Sequence, residues 1–384
     1  MDLPLRRFGD LEAVSPFSLG TMRALTDAAQ MEALLRAALA AGINHIETAA
    51  AYGPAETFVG QALAALSREG LAPAGGWLIT SKIMPGPDLA SGQDQLRAML
   101  RRLGVARLDG LAVHGINRLE HLDWALSGPG AALMAWALDE GLVRQVGFSS
   151  HGSSDLIERA LASGRFRFCS LHLHLFDQER LPLARAALAA GIGVMAISPA
   201  DKGGRLYDPP PDLVADCAPF DPLELAYRFL LDQGITTLTL GAEQPGDLAW
   251  AAALAGPAAA PNASPWWRAG HQEALLRLEA AGRSRLGPSR CGQCRACLPC
   301  PNAVPIPALL RLRNLAVGHG MGSFAKERYN LINRAGHWWE TVNAEACQAC
   351  GDCLPRCPHQ LPIPELLADT HRRLADAPGR RLWD

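Results

Sequence analysis

No run in this sequence is apolar for the roughly 18 residues that a membrane span requires. The nearest candidate, Leu248–Ala260, is short and broken by Gly256 and Pro257. Met1–Asp10 carries charges and Pro4, and has no apolar core of signal-peptide length. These absences predict a chain that works in the cytoplasm, away from membranes. Positive charge is not in excess either: 36 Lys and Arg face 38 Asp and Glu, a formal net charge of -2. A broad nucleic-acid surface needs clustered positive charge, so no nucleic-acid partner is expected. The Gly-x-Gly-x-x-Gly turn of open dinucleotide-binding sheets is missing after the first candidate strand.

What is present suits a globular chain. Hydrophobic residues make up 49% and charged residues 19% of 384 positions, enough for one large domain and a small one. The heavy use of Ala, Gly, Pro and Arg reads as genomic bias. Short apolar segments alternate with amphipathic helical ones. The strand candidates are Phe17–Met22, Ile43–Thr48, Trp77–Ile83, Leu108–His114, Gln145–Ser149, Phe168–Phe176, Val194–Ser198 and Thr236–Gly241. Helical patterns between them include Ala28–Ala41, Gln93–Leu103, Leu133–Gly141 and Leu181–Ala190, several ending at a glycine. Eight strands alternating with helices predict a (β/α)8 TIM barrel; an open doubly wound sheet is the alternative. We place the barrel at residues 1–254. A linker rich in Ala and Pro (Ala255–Pro265) and a bridging helix (Trp266–Gly282) fill 255–284, and a small, mostly helical domain occupies 285–384. The glycosylation-like Asn262-Ala263-Ser264 is taken as chance.

Of ten cysteines, Cys169 and Cys217 stand alone and eight lie between Cys291 and Cys357. A disulfide framework belongs to short secreted chains; clustering at one end of an otherwise large chain points to metal. The motifs are Cys291-x-x-Cys294-x-x-Cys297-x-x-Cys300-Pro301 and Cys347-x-x-Cys350-x-x-Cys353-x-x-x-Cys357-Pro358. The second has the bacterial ferredoxin spacing, and in two-cluster ferredoxins the fourth cysteine ligates the other cluster. Cys291, Cys294, Cys297 and Cys357 are therefore assigned to one 4Fe–4S cluster, and Cys347, Cys350, Cys353 and Cys300 to a second. Structural zinc is the competing reading, but zinc sites favour separated Cys-x-x-Cys pairs. Val304-Pro305-Ile306-Pro307 and Leu361-Pro362-Ile363-Pro364 follow the two motifs alike, and helices are expected at Ile306–Val317 and Phe324–Arg334.

The barrel region resembles the aldo-keto reductases. Ser18-Leu19-Gly20-Thr21-Met22, Gly42 through Gly53, Ile79-Thr80-Ser81-Lys82, Leu100 through His114, Gly147-Phe148-Ser149-Ser150 and Ile197-Ser198-Pro199 match its pieces in order. With the ferredoxin-like tail, the whole resembles an iron–sulfur subgroup of that family. The resemblance implies carbonyl reduction, or alcohol oxidation, with NAD(P)H. Tyr52 would be the acid, Lys82 its activator, Glu47 the carboxylate that orients Lys82, and His114 the group that positions the carbonyl. Such a site makes chemical sense, because a phenol near pKa 10 needs a neighbouring cation to work near neutrality. Cofactor contacts are expected from Ser149, Ser150, Ser170, Ser198 and Gly241. Lys202-Gly203-Gly204-Arg205 suits a pyrophosphate.

There are departures. Glu47 stands for Asp, Ile197 for an aromatic that stacks on nicotinamide, and Ser170 and His174 for amides. Glu243 would repel a 2′-phosphate and could accept from a ribose hydroxyl instead. His172 and His174 alternate on one candidate strand; with His151 they could suggest a metal site, but the reading taken is that two of them line the pocket and bind no metal. Nicotinamide moves two electrons and a cluster one, so exchange between them needs a mediator. Two further functions stay open: an electron-transfer or docking protein whose barrel has lost its chemistry, and a reductase whose clusters are structural or redox-sensing. The expected partners are a small carbonyl or alcohol substrate and an external electron carrier.

Overall fold

A computed structural model describes residues 4–254, 266–267 and 270–376. Contacts divide the chain into two units, Met1–Gly203 with Ala226–Arg268, and Gly204–Leu225 with Ala269–Asp384. The candidate linker Ala255–Pro265, with its sequon, lies outside the described residues.

The first unit opens on an antiparallel hairpin, β1 (Arg6–Phe8) and β2 (Leu11–Val14). Its strands are too short to show a period in the sequence, and no expectation covered them. Eight parallel strands follow: β3 (Phe17–Gly20), β4 (His45–Glu47), β5 (Leu78–Ile83), β6 (Gly110–Val113), β7 (Val146–Ser150), β8 (Phe168–Leu171), β9 (Gly193–Ala196) and β10 (Thr237–Gly241). They pair in chain order, and β10 joins both β9 and β3, so the sheet closes without an edge. This is the (β/α)8 TIM barrel, not the open sheet.

Each strand is buried nearly throughout, as in parallel sheets covered by helices on the outside and packed within. The helices carry local signals for their ends. Helix Ala28–Ala40 is capped by Asp27, whose side chain accepts from Gln30 N. Helix Leu89–Leu103 is capped by Asp88 and stops at Gly104, whose φ of 67° suits a residue without Cβ. Its buried stripe, Leu96, Met99, Leu100 and Leu103, faces the barrel at helical spacing. The hairpin packs Phe8, Leu11 and Val14 against Ala112, Phe168 and Met195. There the chain passes so close that a Cβ on Gly193 would lie 2.5 Å from the Phe8 ring.

The second unit is mostly helical. It contains Pro211–Cys217, His271–Leu286, Ile306–Gly318, Gly322–Tyr329 and Ile363–Leu374, around a core that includes Val304, Ile306, Leu309, Leu310, Leu361, Ile363 and Leu367.

Several boundaries differ from expectation. The strand read as Phe168–Phe176 stops at Leu171. The helix read as Phe324–Arg334 runs over Gly322–Tyr329, ahead of Asn333 at φ 61°. The bridging helix begins at His271, not Trp266, and continues to Leu286. The segment 204–225 groups with the second unit. Among the described residues no helix is long and apolar enough to cross a membrane.

Candidate active site

Parallel strands of one barrel end together, so residues at or just past their carboxyl ends gather at one mouth. Lys82 lies near the end of β5, Glu47 ends β4, Tyr52 sits in the turn after β4, and His114 follows β6. The structure brings these four together. The buried Lys82 ammonium donates to the Glu47 carboxylate, to Thr48 O at 2.9 Å and to Tyr52 Oη at 3.0 Å. The Tyr52 ring meets His114 edge-on, with centroids 5.7 Å apart. The extra methylene of Glu47 does not break its contact with Lys82. Gly20 on the adjoining strand leaves the space: a Cβ there would lie 3.6 Å from Glu47 Oε2 and 2.5 Å from Thr239 Cγ2.

Burial pushes the Tyr52 phenol above its ordinary value, against the downward pull expected of the adjacent cation. Burial, then the positive charge of Lys202, pushes the Lys82 ammonium below its ordinary value; the carboxylate beside it acts the other way. A second polar layer joins Ser18, His45 and Thr80 of the reductase-like pieces to Thr237, a contact the sequence reading did not foresee. Ser18 Oγ is 2.7 Å from His45 Nδ1 and 2.7 Å from Thr237 Oγ1, and His45 Nε2 is 2.8 Å from Thr80 Oγ1. Burial, and then Lys82, lowers the His45 pKa to about 3, so the ring is neutral.

The expected cofactor contacts are spread unevenly. Ser149 Oγ accepts from Gly115 N at 2.9 Å. Ser150 Oγ donates to Ile116 O at 2.6 Å, and Ser170 Oγ faces the Met195 sulfur at 3.7 Å, so both hydroxyls are turned to the scaffold. Ser198 holds a left-handed backbone with φ 49°, and Lys202 N closes a turn onto its carbonyl at 3.1 Å. Gly204 and Arg205 fall in the second unit, where Arg205 lies 3.7 Å from Asp208 and 3.5 Å from Glu327. Arg205 thus lies within ion-pair reach of two exposed carboxylates. Gly241 is exposed. Glu243 pairs with Arg23 at 3.0 Å, which partly neutralises the carboxylate expected to repel a 2′-phosphate. Arg23 escaped the sequence reading because its partner is 220 residues away.

His172 and His174 lie in the loop after β8, not on the strand as expected, yet their rings meet. His172 Nδ1 is 3.2 Å from His174 Nε2, and His172 Nε2 is 3.3 Å from His151 Nε2.

In the second unit, the eight clustered cysteines line two hollows. One is lined by Cys347, Cys350, Cys353 and Cys300. The other is lined by Cys291, Cys294, Cys297 and Cys357. Among the described residues no three or more His, Cys, Asp or Glu side chains close on a point as one bound ion requires. The loops repeat each other's backbone turns, with the second one residue longer before its last cysteine. Left-handed backbone occurs at Gln293 and Ala349, at Arg295 and Gly351, and at Ala303 and Gln360. Ala303 N donates to Cys300 O and Gln360 N to Cys357 O, each at 3.0 Å. Non-glycine residues hold this conformation at a cost of about 1–2 kcal/mol each. Alternating backbone handedness forms concavities of N–H groups that suit anions, iron–sulfur centres included. Asn314 holds Cys291 by donating to its carbonyl at 2.8 Å and accepting from its N–H at 3.3 Å. Arg356 of the second motif donates to Pro299 O of the first at 2.9 Å. Burial raises the Cys297 thiol to about 11 and also raises those of Cys291 and Cys353.

Comparison with known proteins adds the lineage. The profile of the Aldo/keto reductase family matches residues 16–211. An aldo-keto reductase of Mycolicibacterium vanbaalenii is 33% identical over 220 residues, 55% of this chain and 72% of that protein. Among solved structures, an aldo-keto reductase from Bacillus halodurans in its holo form has a TM-score of 0.58 at 20% identity, covering 72% of this chain and 96% of that one. One from Klebsiella pneumoniae in complex with NADPH has a TM-score of 0.56 at 22% identity, covering 72% and 95%. These two structures show the shared barrel. With the family profile spanning half of the chain, the chain belongs to the aldo/keto reductase family of oxidoreductases.

Proposed function

We propose that the barrel reduces a small carbonyl compound, or oxidises the matching alcohol, with a nicotinamide nucleotide, and that the second unit holds two 4Fe–4S clusters. The observation that carries the reading is the buried Lys82 ammonium shared by Glu47, Thr48 O and Tyr52 Oη. When bound, the nicotinamide supplies the hydride. Tyr52 donates its phenolic proton to the carbonyl oxygen as negative charge grows there. Its raised pKa keeps that proton in place until a stronger base forms. Lys82, donating to Tyr52 Oη, stabilises the phenolate left behind, and Glu47 balances the Lys82 charge. His114, edge-on to Tyr52, orients the substrate oxygen.

For the nucleotide, the Ser198–Lys202 turn offers backbone and a cation near the mouth. The NADPH of the Klebsiella protein and the NADP of a related aldo-keto reductase from Bombyx mori, at 21% identity, support the dinucleotide that the resemblance implies. The paired Arg23 and Glu243 leave NADH and NADPH to be compared directly.

The cysteine hollows support clusters through the chemistry of their donors. Each offers four thiols, three from one motif and the fourth from the other. When bound, the clusters supply one-electron transfer. Cys294 and Cys350 are exposed, which suits exchange with an external carrier.

The test is an anaerobic titration of the purified protein with NADPH and, separately, NADH, after iron and sulfide analysis. Nicotinamide fluorescence and cluster absorbance are followed together. Nucleotide binding with carbonyl turnover supports the reductase. Intact clusters with no binding of either nucleotide would return the barrel to the docking role.

A further inference from the structure

We propose that Glu56 is a positioning residue for the Tyr52–Lys82 pair, acting through Ser81 from behind the barrel wall. The inference rests on the reading of that pair as the proton-donating centre of a reductase. Side chains along β5 alternate between the two faces of the wall. Thr80 meets the His45 ring at 2.8 Å inside the barrel, and Lys82 reaches Glu47 and Tyr52 on the same side. Ser81, between them, points outward to the covering helix Ala55–Arg68. Its hydroxyl donates to Glu56 Oε1 at 2.6 Å, the short distance of a hydrogen bond to a charged acceptor. Both side chains are buried.

This contact closes a ring. Glu56 lies in the first turn of a helix that starts soon after Tyr52, with Ala55 N donating to Tyr52 O at 3.2 Å. Ser81 directly precedes Lys82, whose ammonium returns to Tyr52 Oη at 3.0 Å. The two segments are therefore joined twice, once at the mouth by Lys82 and Tyr52 and once behind the wall by Ser81 and Glu56. The rear contact sets how far the helix, and the Tyr52 turn with it, can shift against β5. Glu56 is itself held in place. Arg102 donates to its Oε2 from Nε at 2.8 Å and from Nη2 at 2.5 Å, which leaves Oε1 to Ser81. Gly60, one turn on from Glu56, has no room for a side chain: a Cβ there would lie 2.1 Å from Arg102 O. The helices Ala55–Arg68 and Leu89–Leu103 thus meet in backbone contact, and this seats Arg102 beside the carboxylate.

Steady-state reduction of butanal with NADPH is measured for Ser81→Ala, Ser81→Thr and Arg102→Gln beside the unaltered chain. Ser81→Ala removes the rear contact and leaves the ion pair. Its kcat falls roughly ten- to a hundredfold, the scale of a small misplacement at a reacting centre, while KM for butanal and NADPH affinity stay unchanged. Ser81→Thr keeps the hydroxyl and restores kcat. Arg102→Gln leaves Glu56 buried without its cation, so it lowers the unfolding temperature more than Ser81→Ala does, yet lowers kcat less. A carboxylate that served stability alone would give the opposite order, with kcat following the unfolding temperature. Unchanged kcat in Ser81→Ala, or a loss that Ser81→Thr does not restore, overturns the proposal.

Crystal structures of the two Ser81 variants separate the inference from the reading beneath it. Loss of the Lys82–Tyr52 contact in Ser81→Ala, with the contact kept in Ser81→Thr, supports the positioning role even in a chain that reduces nothing, and an unmoved contact defeats it. A chain without any nicotinamide-dependent turnover defeats the reductase reading alone.

Discussion

In the proposed mechanism Tyr52 and Lys82 divide the chemistry of the site, and their replacements should separate. Tyr52→Phe removes the proton donor but little volume. We expect kcat for carbonyl reduction to fall roughly 10²–10⁴-fold with nicotinamide affinity unchanged, as steady-state kinetics and fluorescence titration would show. Lys82→Met instead leaves the Glu47 carboxylate buried without its cation, at about 3–5 kcal/mol. Lys82→Met with Glu47→Gln should recover part of that loss, and equal thermal unfolding of the two would show that the ion pair is not what matters. His45 gives a pH signature. Its pKa is about 3 in the folded chain against 6.5 when free, so between those values the unfolded state binds more protons. Its contribution to stability is present above about pH 6.5 and is lost as pH falls toward 3. Urea unfolding across that window should show a slope that His45→Gln reduces. The tetrad residues were legible because they stand in family order. The His45 layer, Thr48 O and Arg23 were not, because each depends on a partner from a distant part of the chain.

At the level of elements, the strands announced themselves by buried apolar runs, and closure into a barrel followed from their number and alternation. Their ends did not. The pattern Phe168–Phe176 still alternates after Leu171, but pairing with β7 and β9 ends at Leu171, and pairing is a property of neighbours. The hairpin β1–β2 was invisible for the same reason, since its stability lies in the contact of Phe8, Leu11 and Val14 with the barrel floor. Phe8→Ala should cost about 3–5 kcal/mol, read as a lower denaturant midpoint; a change under about 1 kcal/mol would mean that the floor is not sealed by this ring. Gly20 tells a similar story. It reads as part of a motif, and the fold shows it making room for Thr239 and Glu47.

Across the whole molecule, the cysteine motifs test the crosswise assignment. Cys300→Ser and Cys347→Ser should lose the same cluster, with iron and sulfide falling to about half, and should share one residual electron paramagnetic resonance spectrum. Cys291→Ser and Cys357→Ser should share the other. If Cys300→Ser resembles Cys291→Ser instead, each motif holds its own cluster and the crosswise pairing is wrong.

Sequence alone determined what depends on residue type and local spacing: the strand–helix alternation, the order of the reductase-like motifs and the Cys-x-x-Cys repeats. Tertiary structure decided what depends on groups far apart in the chain. It joined Lys82 to Glu47 across 35 residues and Arg23 to Glu243 across 220, turned Ser150 and Ser170 toward the scaffold, and set three histidines in a row. Hydrogen bonds and charges act over a few ångströms, and only folding brings such groups within that range.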